Sequence, residues 1–214
     1  CIGNMTLAFN GTSWSQEAYT TSDSGLYCGD YAGGNIGTQN TALSTVGKST
    51  EEYDGSSWSV TAQLNEGSWN GRWYHGHAGT QNAAIIAGGS PYNLFGELTE
   101  LYDGSAWAVS SRLIYARQQG SAAGVQNDAL VLGATPSSAT EAFDGTTWTY
   151  LGVDSPHGMV GTGDGSSGAS AIQTGGWPGA DPYGSRVSIY EVIYPTTASF
   201  GIVTPTKGIN TDTF

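Results

Sequence analysis

Hydrophobic and polar positions along this chain follow strand periods rather than helix periods. Thr50 to Tyr53 and Thr99 to Tyr102 alternate as a half-buried strand does. Ala83 to Ala87 and Ala129 to Leu132 are continuous apolar runs, the pattern of a strand covered on both faces. Each run ends in Gly, at Gly88-Gly89 and at Gly133, where the missing side chain permits close backbone approach. Asp-Gly or Asn-Gly steps separate the alternating stretches from the next strand and supply the positive φ that a hairpin needs. The predicted elements are therefore short antiparallel strands joined by tight turns.

These strands recur as a unit. Phe9-Asn10-Gly11-Thr12-Ser13-Trp14, Tyr53-Asp54-Gly55-Ser56-Ser57-Trp58, Tyr102-Asp103-Gly104-Ser105-Ala106-Trp107 and Phe143-Asp144-Gly145-Thr146-Thr147-Trp148 share one pattern, with Trp-to-Trp spacings of 44, 49 and 41 residues. Gly37-Thr38-Gln39-Asn40, Gly79-Thr80-Gln81-Asn82 and Gly124-Val125-Gln126-Asn127 recur in the same register, each before an apolar run. A degenerate fifth unit runs through Ala169 to Ile172, Gly175-Gly176 and Val187 to Ile193, with Tyr190 in the aromatic position. Four strands repeated at this period are the arithmetic of a β-propeller blade.

The order of apolar strand, Gly-Gly, variable loop, Glu-x-Tyr-Asp and Trp resembles the kelch motif. Asp54-Gly55 with Trp58 and Asp103-Gly104 with Trp107 match it, and Arg72 and Arg117 fall near where that family often carries Arg. Thr38 to Ala42 and Glu51 to Trp58 look more specifically like kelch-like repeats common in marine bacteriophage proteins. The resemblance spans about residues 5–194 and departs at Gly47-Lys48, at Gly133-Ala134 and after Tyr190, where no Trp follows. The expectation is an all-β, kelch-like β-propeller of about five four-stranded antiparallel blades. The whole of 1–214 forms one domain, with blades at about 15–58, 59–107, 108–148 and 149–194. A closing blade joins 1–14 to 195–214, with Ala198 to Val203 as an inner strand, because closure removes the open edge of a partial ring.

Composition narrows the partners. The 214 residues include 33 Gly, 6 Lys plus Arg and 18 Asp plus Glu, for a net charge of −12. So acidic a surface opposes binding to nucleic acid or to an anionic membrane. No apolar run reaches the roughly 18 residues of a membrane-spanning helix. Cys1 and Cys28 can pair in an oxidising compartment, and Cys1 at the start of the chain is also the position that a lipoprotein acylates.

Candidate chemistry separates by whether it recurs. Trp14, Trp58, Trp107 and Trp148 recur and are read as core between blades, while Asp54, Asp103 and Asp144 hold hairpin turns. Glu51, Glu100 and Glu141 also recur, which marks them as structural, since a single active site needs one copy. Asp164-Gly165-Ser166-Ser167 lacks the spaced ligands of a calcium loop and reads as a flexible turn. His75 and His77 lie at i, i+2 and His157 stands alone; no third ligand accompanies them, so they read as surface or loop histidines and no metal or cofactor is expected. Some kelch-fold proteins are copper radical oxidases, but the spacing of Tyr27-Cys28 and His75-Gly76-His77 does not support that comparison.

The aromatics that do not recur are the candidate binding residues. Trp69, Trp73, Tyr74 and Tyr115 lie between blades, and Tyr92, Phe95, Trp177 and Tyr183 lie in the long loops after the apolar strand. Aromatics beside amides and carboxylates suit a glycan, rings stacking on sugar faces while polar groups bond the hydroxyls. The expected function is a non-enzymatic structural or attachment module on a virion or cell surface. Its partners would be neighbouring surface proteins or a surface glycan, within a larger complex. A lipid-anchored bacterial surface protein using Cys1 is the rival reading, and a propeller-scaffold oxidase or glycan lyase is the third.

Overall fold

The computed structural model describes residues 5–21, 35–66, 72–90, 96–155, 162–167, 170–174 and 187–191, and every regular element in them is a strand. A two-stranded sheet comes first, β1 (Met5–Phe9) with β2 (Trp14–Tyr19). Three four-stranded meanders follow. The second sheet holds β3 (Asn35–Gly37), β4 (Ala42–Val46), β5 (Ser49–Tyr53) and β6 (Trp58–Gln63). The third holds β7 (Gly76–Thr80), β8 (Ala83–Ala87), β9 (Thr99–Tyr102) and β10 (Trp107–Val109). The fourth holds β11 (Ser121–Val125), β12 (Asp128–Leu132), β13 (Ala139–Phe143) and β14 (Trp148–Asp154). A three-stranded sheet ends the described chain, with β15 (Thr162–Ser167), β16 (Ser170–Thr174) and β17 (Val187–Glu191). All pairings are antiparallel, as the hairpin signals in the sequence require.

Register repeats with the sequence. Phe9 pairs Trp14, Tyr53 pairs Trp58, Tyr102 pairs Trp107 and Phe143 pairs Trp148. The paired rings sit 5.0–5.2 Å apart in a tilted stack. Between them, the Asp54 carboxylate accepts from the backbone N–H of Ser56 and Ser57, both at 2.8 Å, and Asp103 and Asp144 do the same in their own loops. Those bonds, led by the N–H of Ser57 and of Thr147, hold the Asp54 and Asp144 carboxyls down at about 2, so the turns stay ionised and locked well into the acid range. Ala42–Tyr53, Ala84–Tyr102 and Ala129–Phe143 are equivalent cross-strand pairs, and Ala171–Tyr190 continues the series. The degenerate last unit therefore keeps the register after losing the motif.

The first strands of the larger sheets, β3, β7, β11 and β15, lie beside one another in sequence order. Each sheet thus stands as a blade with its first strand innermost, and the core fills the seams between sheets. Ile36 and Leu43 of the second sheet pack on Ala84, Ile86, Tyr102 and Trp107 of the third. Ala78, Ile85 and Ala87 of the third pack on Ala122, Val131, Phe143 and Trp148 of the fourth, and Leu130 and Leu132 pack toward Ala171 of the last.

Trp and Gln side chains stitch the seams between successive sheets, both of them at the two central seams. The Trp107 indole N–H donates to Thr50 Oγ1 at 2.9 Å, Trp148 to Thr99 at 3.0 Å and Trp58 to Thr6 at 2.7 Å, always from one sheet to the sheet before it. Gln81 Nε2 donates to the carbonyls of Ala42 and Tyr53, and Gln126 Nε2 to those of Ala84 and Tyr102. The Gly that opens this Gln-bearing hairpin has no substitute, because a Cβ on Gly79, at φ +109, would lie 2.2 Å from the Ala83 carbonyl oxygen.

Three expectations change. Trp14 is 68% exposed whereas Trp107 and Trp148 are 5% and 6% exposed, because no sheet precedes β1–β2 among the described residues to cover it. Trp58 is half-buried, since the sheet before it has two strands instead of four. Asp164 lies in β15 opposite Ile172 rather than in a flexible turn, the strand being held by its partner β16. Sheet boundaries also fall after Gln63, Val109 and Asp154 instead of at the Trp residues, because each Trp opens a fourth strand that runs on.

Replacing Trp107 with Phe keeps the ring stack and deletes the seam hydrogen bond, leaving the buried Thr50 hydroxyl unpaired. The expected cost is about 1–2 kcal/mol, read as a fall in Tm of about 3–6 °C by calorimetry.

Candidate functional site

The charged groups deepest in the molecule recur from sheet to sheet. Arg72 and Glu100 are fully buried and pair at 3.2 Å, and Arg117 pairs with Glu141 in the equivalent place. Arg72 also donates through Nε to the Gly88 carbonyl at 2.6 Å and through its terminal nitrogen to the Leu98 carbonyl. The Glu100 carboxylate accepts from the N–H of Asn65 at 2.8 Å, while Glu141 accepts from the N–H of Ile114 at 2.7 Å and of Tyr115 at 3.2 Å. Each pair thus clamps the connection that enters a sheet onto that sheet's third strand.

The clamp also accounts for Gly88-Gly89. A Cβ at either position would come within 3 Å of an Arg117 or Arg72 atom. Burial lowers the Arg72 guanidinium to about 10, and Glu100 opposes that shift, so the guanidinium stays charged at neutral pH. A recurring clamp is architecture, and it leaves function to the side chains that break the repeat.

Two departures are buried. Aligning Gly79 with Gly124 places His75 where the fourth sheet has Gly120 and His77 where it has Ala122. Of the expected surface or loop histidines, His75 does lie in a connection but is 4% exposed rather than at the surface, and His77 is half-buried within β7. His75 is buried at the end of the connection that enters β7, where it meets Thr45 of the preceding sheet, and His77 lies within β7, the strand closest to that sheet. His75 Nε2 lies 3.3 Å from the Thr45 hydroxyl, the two rings meet edge to face at 6.3 Å, and both Nδ1 atoms are buried without a hydrogen-bond partner. Burial, then the Arg72 charge, then His77 lower the His75 imidazole well below its ordinary value; burial lowers His77 as well. Both are neutral at pH 7. Among the described residues no three His, Cys, Asp or Glu side chains gather as a metal site.

The other departures are aromatic. Trp73 and Tyr74 are half-buried. Tyr74 has φ +57, but Gln119 has φ +64 at the equivalent place and its N–H donates to the Tyr74 carbonyl at 2.7 Å. That backbone conformation belongs to the connection and signals no functional strain. Tyr115 is 43% exposed and meets Tyr150 edge to face at 5.6 Å. The Tyr150 hydroxyl donates to Asp154 Oδ1 at 2.9 Å. Sequence reasoning found Tyr115 and missed Tyr150, although the signal was present: Tyr150 stands two residues after its Trp, where the second and third sheets carry Val60 and Val109. Trp69, Tyr92, Phe95, Trp177 and Tyr183, together with Cys1 and Cys28, lie outside the described residues.

No protein-family model matches the chain, and no curated protein matches it. Among the described residues no helix is long and apolar enough to cross a membrane.

Glu100→Gln leaves Arg72 charged and buried beside a neutral amide, and Arg72→Met strands the Glu100 carboxylate; either should cost about 3–5 kcal/mol in urea unfolding at pH 7. The histidines add an acid limit. Their folded pKa lies below the unfolded value near 6.5, so the unfolded chain takes up protons first and stability present above pH 6.5 is lost as pH falls below it. The unfolding free energy from urea titration should drop between pH 7 and pH 5, by up to about 1.4 kcal/mol per pH unit per imidazole. Replacing His75 with Gly and His77 with Ala, as in the next sheet, should flatten that slope.

Proposed function

We propose that this chain is a non-enzymatic, kelch-like β-propeller module that serves on a virion or cell surface as a structural decoration or attachment protein. The observation that carries this reading is the distribution of its chemistry. Among the described residues, the buried ion pairs, the turn carboxylates and the seam Trp and Thr groups recur from sheet to sheet and are consumed in holding sheets and connections together. The exposed departures are aromatic and lie where connections meet outer strands, the part of such a scaffold that is free to touch something else. The acidic, Lys-poor composition and the phage-like wording of the repeats favour a surface setting over a nucleic-acid partner.

Five units then close as a ring. The first sheet has the register of a third and fourth strand only. In this proposal residues 195–214, which lie outside the described residues, would supply its missing part. Closure would cover the Phe9–Trp14 face, which otherwise stays open to solvent.

Labelled protein mixed with intact candidate host cells, and immunogold staining of intact particles or cells, test the surface role. The expected result is saturable retention on the cell surface, or regular gold labelling of the particle exterior. A protein that neither binds cells nor decorates any surface rules the role out. Truncation after residue 194 should lower the Tm and increase acrylamide quenching of Trp14, read as the difference from a Trp14→Phe variant; unchanged values would argue against ring closure.

A further inference from the structure

We propose that Tyr115, Tyr150 and Asp154 form a binding site for a neutral saccharide presenting a vicinal diol. This rests on the surface-attachment reading and gives it a ligand class and an address.

Convergence is the first support. Each of the three residues breaks the repeat. Register places Tyr115 where the preceding connection has Glu66, since the N–H groups of Tyr115 and Glu66 bond equivalent Glu carboxylates. Tyr150 replaces Val60 and Val109. Asp154 precedes Ser155, whose N–H bond to Ser138 matches those of Leu64 to Lys48 and Leu113 to Glu97, so it stands where Gln63 and Arg112 stand. The scaffold demonstrably folds its other units without any of them. They nevertheless meet in one place, Tyr115 against Tyr150 at 5.6 Å and Tyr150 against Asp154 at 2.9 Å.

The arrangement is also held firmly. Tyr115 follows Ile114 in a connection whose two N–H groups are bound by the buried Glu141 carboxylate, itself paired with Arg117. Tyr150 sits in β14 opposite Glu141, and its hydroxyl is fixed by Asp154. The ring of Tyr115 is therefore presented by rigid backbone, which lowers the entropy lost when a ligand binds.

The chemistry fits a sugar better than another partner. An exposed Tyr face offers a flat apolar platform for the C–H face of a pyranose. The Tyr150 hydroxyl, already donating to Asp154, presents its oxygen as an acceptor, and the Asp154 carboxylate is a second acceptor beside it. Two neighbouring acceptors suit two neighbouring hydroxyl donors. The carboxylate, on a chain of net charge −12, disfavours sialic or uronic acids and phosphate. The dyad is small, so the expected affinity is that of a single-sugar contact, strengthened by multivalent display.

A glycan array carrying both neutral and acidic oligosaccharides, followed by ligand-observed NMR on the neutral hits, tests the proposal. Wild type should bind neutral glycans with little dependence on salt. Tyr115→Ala and Asp154→Asn should each weaken binding at least about tenfold, and Tyr150→Phe, which keeps the ring, by about three- to tenfold; each tenfold corresponds to 1.4 kcal/mol. Val109→Ala, an exposed change on β10, should leave it unaltered, and melting curves should show all variants folded. Neutral-glycan binding that survives Tyr115→Ala and Asp154→Asn overturns the site while leaving the attachment role standing. Retention on cells without any neutral-glycan signal, or a preference for acidic glycans, overturns the ligand class. Loss of both cell retention and glycan binding in wild type defeats the attachment reading itself.

Discussion

Among the described residues, each of the three four-stranded sheets leans on the sheet before it. A four-stranded sheet of three- to seven-residue strands buries too little surface to be stable alone. Here the face bearing the aromatic–Trp pair is covered by its predecessor, and the indole N–H is satisfied only by a Thr hydroxyl on that predecessor. The arrangement is directional: Trp reaches back and Thr waits forward. Cohesion between sheets is therefore not a generic apolar contact. It requires one hydroxyl at one register position, three residues before the next aromatic. The gradient along the chain shows the consequence, with Trp14 open, Trp58 half covered, and Trp107 and Trp148 buried as the preceding sheet grows from none to four strands.

A second layer of order comes from charge placed where water is absent. Burying an ion pair does not by itself add stability, because desolvation offsets much of the attraction. What the Arg72–Glu100 and Arg117–Glu141 pairs provide is position, since the Glu lone pairs bind the backbone of the entering connection while the Arg N–H groups bind carbonyls of the sheet it enters. Gly89 makes room for the Arg72 side chain and Gly88 for the backbone of Arg117, so two distant sequence features are one structural device. The connections they fix are the surface on which Tyr115 is displayed.

A repeated scaffold makes its own departures readable. Tyr74 at positive φ would look functionally strained in a single unit, but Gln119 repeats it and removes that interpretation. His75 and His77 have no such counterpart, nor do Tyr150 and Asp154. The histidines introduce ionisable groups into a seam whose next copy uses Gly and Ala, which makes that seam the acid-sensitive one.

Much of the architecture was legible in the chain, because turns and registers are local. Asp-Gly before Trp, Gly-x-Gln-Asn before an apolar run, and the Ala–aromatic pairing were all set by residues close in sequence. Even Tyr190 could be placed before its pairing with Ala171 was seen. Burial was not legible in the same way. Trp14 and Trp148 carry the same motif and differ in exposure from 68% to 6%, because exposure depends on whether another sheet stands in front. His75 looked exposed for the same reason, although its connection is buried against the preceding sheet. Tyr115 looked like one aromatic among eight until the fold brought Tyr150 and Asp154 to it. The sequence by itself determined which strands form and how they pair, since hydrogen-bond register and turn geometry are local. Only the tertiary structure decided which faces meet, and with them which side chains are buried, charged or left free to bind.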